Sequence, residues 1–150
     1  MEQSIIASKY TIPIYLSSTS FKWYEFSDKW WKFYFKSALF DQFVYFSKKG
    51  INYVVEVIDP LEVISDQPDI VNKDLDNISN SNFIVCYLGK RLTIGTLMEL
   101  SYCVYKNYPL ILIDKHKIHR NHPWIKYWVK YIADDEIDAV TLIKNIIWKN

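Results

Sequence analysis

At 150 residues the chain is the length of one domain, and half of its residues are hydrophobic and 17% aromatic. That is enough apolar surface for a single core, which excludes a disordered segment. A net charge of +1 excludes the strongly basic field expected of a protein that grips nucleic acid polymers or an anionic membrane surface.

The elements follow in chain order. Thr11–Leu16 is a short β-type run with an early proline, tolerated at a strand start. Ser17-Ser18-Thr19-Ser20 comes directly after it, where doubly wound folds place a glycine-rich phosphate loop. The cluster holds no glycine, so the dinucleotide fingerprint is absent, although small hydroxyls there suit a sugar or phosphate oxygen. Ser27–Lys49 is predicted as a helix, capped by Ser27 and stopped by Gly50, with aromatic residues recurring at three- and four-residue spacing. Its aromatic density exceeds what one face against a sheet requires, and part of it is read as a subunit contact. Asn52–Ile58 is a second strand, Leu61–Pro68 a loop, and Asp69–Ile78 a short helix packed before the central strand, with Asp74 on its edge pointing toward the same crevice as Glu99.

Phe83–Leu88 is a buried central strand by its β-branched and aromatic content. After the loop Gly89–Leu92, Thr93–Leu100 opens a helix on a hydroxyl, with Thr93 or Thr96 available to cap it. Gly95 removes a side chain where a ligand would approach the backbone. Glu99 falls about a turn into that helix, near the crevice beyond the strand ends where open α/β sheets bind ligands. A carboxylate there can attack or stabilise an electron-poor carbon. The helix runs on to Lys106, followed by a near-continuous apolar strand at Tyr108–Asp114, as expected of a parallel strand covered on both faces. The basic loop Lys115–His122 carries His116, His119 and His122 at three-residue spacing, a pattern less suited to zinc than to a phosphate- or partner-facing or solvated loop. A last strand around Val129–Ile132 and an amphipathic helix over Asp134–Trp148 close the chain. Alternation of strands and helices predicts an α/β three-layer sandwich around five parallel strands.

Cys86 and Cys103 sit in apolar runs and read as buried free thiols of a reducing compartment, with no metal or cofactor site implied. No leader and no apolar run of about 18 residues is visible, so the expected location is the cytoplasm.

Asp74 with Ile78, then Asn82–Val85, then Thr93-x-Gly95-Thr96-x-x-Glu99-Leu100 together resemble the nucleoside 2-deoxyribosyltransferase family and its relatives, the nucleotide N-glycoside hydrolases. Ile14-Tyr15-Leu16 with Phe21 fits that family's opening strand. The resemblance implies a flavodoxin-like (Rossmann-like) fold, no cofactor, and a homo-oligomer in which subunits complete each other's sites. It makes Glu99 the nucleophile at the sugar's anomeric carbon, Tyr15 the residue that orients it, and Asp74 the group handling the departing base's proton. It assigns substrate contacts to Ser17, Ser18, Phe21, Thr93, Gly95, Thr96 and His122. Ser17-Ser18-Thr19 stands where the family has a glycine-containing turn, Asn82 where it commonly has Asp, and Thr93 where the base-exchanging transferases often have a carboxylate. With Lys90, Arg91 and the loop Lys115–His122, that threonine tilts the reading toward a phosphorylated substrate. The implied activity is cleavage of an N-glycosidic bond with transfer to another base or to water. The alternatives are a nucleoside 5′-monophosphate hydrolase, a non-catalytic nucleotide-binding module, and an interaction protein built on the aromatic helix. A phosphoribohydrolase of the cytokinin-activating type shares Gly-Thr-x-x-Glu but needs paired glycines that this sequence lacks.

Overall fold

The computed structural model describes residues 9–17, 28, 30–43, 47–48, 50–60 and 68–149. Among them the elements run β1 (Lys9–Ser17), α1 (Trp31–Phe43), β2 (Ser47–Lys48), β3 (Ile51–Ile58), α2 (Pro68–Ser79), β4 (Phe83–Tyr87), α3 (Ile94–Tyr105), β5 (Leu110–Ile113), α4 (Pro123–Trp128), β6 (Tyr131–Ala133) and α5 (Glu136–Lys149). The strands form one sheet in the order β2-β3-β1-β4-β5-β6. β3, β1, β4, β5 and β6 are all parallel, and only the two-residue β2 runs antiparallel, at the edge. Counting the five parallel strands alone gives 2-1-3-4-5, the flavodoxin-like order, so the expected fold class holds.

Strand alternation sorts the side chains into two cores. Ile12, Ile14 and Leu16 of β1 join Val85, Tyr87, Ile111 and Ile113 against α1 and α5. Tyr15 joins Ile84, Cys86, Leu88, Leu110 and Leu112 against α3 and the start of α4. The central strand is buried along its whole length, which is why it reads as an unbroken apolar run. Helix α1 buries Trp31, Phe35, Leu39 and Phe43 at four-residue spacing, and Trp31 stacks on Tyr87 with ring centroids 4.9 Å apart. α5 is opened by Asp135, whose carboxylate accepts the Asp138 N–H at 2.8 Å, while Asp138 returns the favour to the Asp134 N–H at 2.9 Å.

Three boundaries differ from expectation. The helix predicted to reach Lys49 ends at Phe43, because Ser47–Lys48 turns back to pair with Ile51–Asn52. Gly50, at φ +74°, therefore serves a strand reversal and not a helix stop. Pro123–Trp128 forms a separate helix where only a lead-in to the last strand was expected, and β6 starts two residues later than predicted. Among the described residues no helix is long and apolar enough to cross a membrane.

Candidate active site

In a 2-1-3-4-5 sheet the chain leaves β1 and β4 toward opposite faces, and the crevice between them is where ligands bind. Here α1 follows β1 onto one face and α3 follows β4 onto the other. The register sets Tyr15 beside Ile84 and Ser17 beside Cys86, at the carboxyl end of both strands. Tyr15 and Ser17 are two apart and so share one face, the α3 face. Glu99 reaches them from α3. Tyr15 Oη donates to Glu99 Oε1 at 3.3 Å, and Ser17 Oγ donates to Oε2 at 2.5 Å. Each carboxylate oxygen is thus held by one hydroxyl.

Burial pushes the Glu99 carboxyl up from 4.5 to about 7, and the nearby charge of Asp74 adds to the rise. The hydrogen bonds from Ser17 and Tyr15, and the charge of Lys32, pull the other way. Burial, reinforced by the charges of Glu99 and Asp74, holds the Tyr15 phenol far above its ordinary range, so it stays a neutral donor. Asp74, half-buried on α2, is raised by burial against the opposing charge of Lys73. Of the three residues expected at the site, Tyr15 and Glu99 are in direct contact, and the charge of Asp74 acts on both. Cys86 and Cys103 lie beneath, buried and unbridged, their thiols raised chiefly by burial, that of Cys103 to about 12.

The other expected contacts divide. Thr93 has the extended backbone of an N-cap, but its hydroxyl makes no capping bond; it pairs with Thr96 Oγ1 at 3.0 Å instead. Among the described residues, no neighbouring side chain or loop comes within 4 Å of a Cβ placed at Gly95. Ser17, expected at the substrate, holds Glu99. Ser18 and Phe21 lie outside the described residues. His122 opens α4 and lines a cavity of about 360 Å³ between α3 and α4, with Leu97 and Ser101, on the flank of α3 away from Glu99. The main cavities lined by described residues lie away from Glu99; the segments leaving β1 and β3, residues 18–27 and 61–67, are outside the described set.

The basic loop is held down by carboxylates of its own chain. Buried Asp114 accepts the Arg120 N–H at 2.9 Å and Arg120 Nε at 3.1 Å, Arg120 also reaches Asp134 at 2.7 Å, and Lys115 pairs with Glu136 at 2.9 Å. These two cations face protein carboxylates and not a phosphate. His116 Nε2 bonds Asp28 at 2.5 Å, and His119 Nε2–H donates to the Gly89 carbonyl at 2.8 Å, so the ring nitrogens do not converge.

Asp28 is a residue that sequence reasoning missed. Only 2% exposed, it accepts Tyr87 Oη at 2.6 Å and the Lys90 N–H at 3.1 Å besides His116, tying together the strand, turn and loop at the entrance to α3. Burial alone would raise its pKa; the three hydrogen bonds hold it below the ordinary value. A side chain at Gly89 would run into its carboxylate, which explains that glycine. Asp28→Ala leaves buried donors without an acceptor and is expected to cost about 2–4 kcal/mol in urea unfolding. A loss near zero would show that the cluster contributes nothing to holding the turn.

No family model matches the sequence, and neither does any curated protein. The chain is similar to the solved structure of the Clostridium botulinum CMP N-glycosidase BcmB, with 16% identity and a TM-score of 0.47, over 89% of this chain and 98% of that one. A likeness this distant assigns no chemistry; that rests on the residues themselves.

Proposed function

We propose that the chain cleaves the N-glycosidic bond of a (deoxy)nucleoside or nucleotide through a covalent glycosyl ester on Glu99. The observation that supports this is the clamping of both Glu99 oxygens, by Tyr15 and Ser17, at the switch point of the sheet. A carboxylate held by two hydroxyls is fixed in direction yet keeps a lone pair for attack. Glu99 Oε bonds to C1′ as the C1′–N bond breaks, the bond's electron pair leaving with the base. Asp74, whose carboxyl is pushed up by burial, supplies the proton that makes the base a better leaving group. The transition state is oxocarbenium-like and is stabilised by the Glu99 charge, as in retaining glycosidases. Water, or a second base, then attacks C1′ and releases Glu99, with Asp74 taking up the proton. Thr93, with Thr96 buried behind it, and the backbone at Gly95 form the start of α3, where substrate hydroxyls or a phosphate would lie.

The test is product analysis. Incubated with (deoxy)nucleosides and their 5′-monophosphates, the protein is expected to release free base, and Thr93 in place of a carboxylate favours water as the acceptor. A new nucleoside on addition of a second base would identify a transferase instead. No base released from any of these substrates would sink the enzymatic reading and leave a nucleotide-binding module.

A further inference from the structure

The turn Gly89–Leu92 joins β4 to the helix that carries Glu99, and its first backbone groups are taken by side chains from far along the chain. Asp28, three residues ahead of α1, accepts the Lys90 N–H at 3.1 Å. His119 donates Nε2–H to the Gly89 carbonyl at 2.8 Å. Glycine at 89 lets the backbone lie against the Asp28 carboxylate, where a Cβ would collide. Asp28 is fixed in turn by Tyr87 Oη at 2.6 Å and by His116 Nε2 at 2.5 Å. Its hydrogen bonds keep Asp28 ionised despite burial, so it only accepts, and His116 Nε2 carries the proton. Tyr87 also stacks on Trp31 of α1, which anchors the whole cluster to the core.

Two histidines of the loop after β5 therefore hold the turn after β4, His116 through Asp28 and His119 directly. A turn that only joined a strand to a helix could leave these backbone groups to water, as surface loops do. Here a buried carboxylate, a glycine and two imidazoles converge on it.

We infer that His116 and His119 are positioning residues for the substrate: through Asp28 and Gly89 they fix the turn that sets the start of α3, so that Thr93 and the Gly95 backbone meet the substrate in one arrangement. The inference rests on the reading of the Glu99 crevice as the site of N-glycosidic cleavage. Glu99 has supports of its own. Tyr15 and Ser17 hold its carboxylate from β1, and Leu100 and Cys103 bury that stretch of α3 in the core. Loosening the turn thus disturbs binding more than chemistry, because preorganisation at the start of the helix is lost while the nucleophile stays in place.

Steady-state kinetics of the full chain, with amide exchange of Lys90 followed by NMR, tests this. The His116 side chain is 18% exposed, and its removal leaves Asp28 the Tyr87 and Lys90 donors, so His116→Ala should fold. KM for a cleaved (deoxy)nucleoside or 5′-monophosphate is expected to rise about 10-fold in His116→Ala, with kcat within about threefold of the wild type. The Lys90 amide should exchange about 10-fold faster. His116→Gln, whose amide N–H has the reach of the imidazole Nε2, is expected to restore most of the loss, and His119→Ala to raise KM in the same direction. A KM unmoved in both alanine variants while base is still released overturns the inference and leaves the enzymatic reading standing. So does a fall in kcat at unchanged KM, a Lys90 amide no faster than in the wild type, or a His116→Gln as impaired as His116→Ala. If the wild type releases no base, titration calorimetry with the same compounds decides. Binding weakened about 10-fold in His116→Ala then supports the positioning role without the chemistry, and binding equal in the two proteins, or absent from both, overturns it.

Discussion

Glu99→Gln is expected to lower the rate of N-glycosidic cleavage by a factor on the order of 10³ or more while nucleoside binding survives. The substitution keeps the shape of the side chain and an acceptor for one of the two hydroxyls, and removes the negative charge that would capture C1′. A neutral amide neither stabilises an oxocarbenium-like state nor forms the ester. The pH profile should carry the same signature. Only ionised Glu99 attacks, and its pKa is raised by burial to about 7. kcat/KM for the wild type should therefore climb on its acidic side as Glu99 ionises and fall on its alkaline side as Asp74 loses the proton it supplies. Titration calorimetry and initial rates on both proteins decide the matter. Retention of most of the wild-type rate by Glu99→Gln would remove Glu99 from the chemistry.

The same substitution is expected to make the protein more stable at alkaline pH. A group whose pKa is higher in the folded than in the unfolded state binds its proton more tightly when folded. The stability that this proton confers is complete below the unfolded value and is lost as pH rises through the folded one. For Glu99 the interval runs from 4.5 to about 7, because burial opposes the charged form. A shift of that size corresponds to about 3 kcal/mol of burial penalty above neutrality. Glutamine does not ionise and escapes it. At about pH 8.5 the variant should melt some 5–10 °C above the wild type, and at about pH 4 the two should coincide. A variant less stable than the wild type at high pH would mean that the hydroxyl clamp more than offsets the burial of the charge. Keeping a carboxylate where an amide would fold better is a mark of function over stability.

The parts of the fold that depend on local pattern could be read from the sequence. Phe83–Tyr87 is buried at every position, so its unbroken apolar run needed no context, and Leu110–Ile113 behaves alike. α5 declared itself through Ile137, Val140, Ile143 and Ile147 at helical spacing, although Ile137 proves exposed. Features made by distant residues left no local trace. The two-residue β2 exists only because β3 is there to pair with it, and the six-residue α4 is too short to show a period. Within the candidate site, Tyr15, Asp74 and Glu99 are expected only through their resemblance to a known pattern; the structure puts Tyr15 on Glu99, with the charge of Asp74 felt by both. Asp28 has no such pattern: it is separated by 59 residues from Tyr87 and by 88 from His116, and nothing around it in sequence announces a buried carboxylate. In the histidine-rich loop the partners lie far off in sequence: Lys115, His116 and Arg120 are held by Glu136, Asp28, and Asp114 with Asp134, which the loop's own pattern does not announce.

The most direct measurement is the mass of the protein after incubation with a 2-fluoro-2-deoxynucleoside, or its 5′-monophosphate, whose fluorine destabilises an oxocarbenium ion and slows release of a trapped sugar. The account predicts one fluorinated sugar per chain, carried by the peptide that contains Glu99 and missing from Glu99→Gln. Base released with no adduct, or a sugar attached to a different residue, would contradict it.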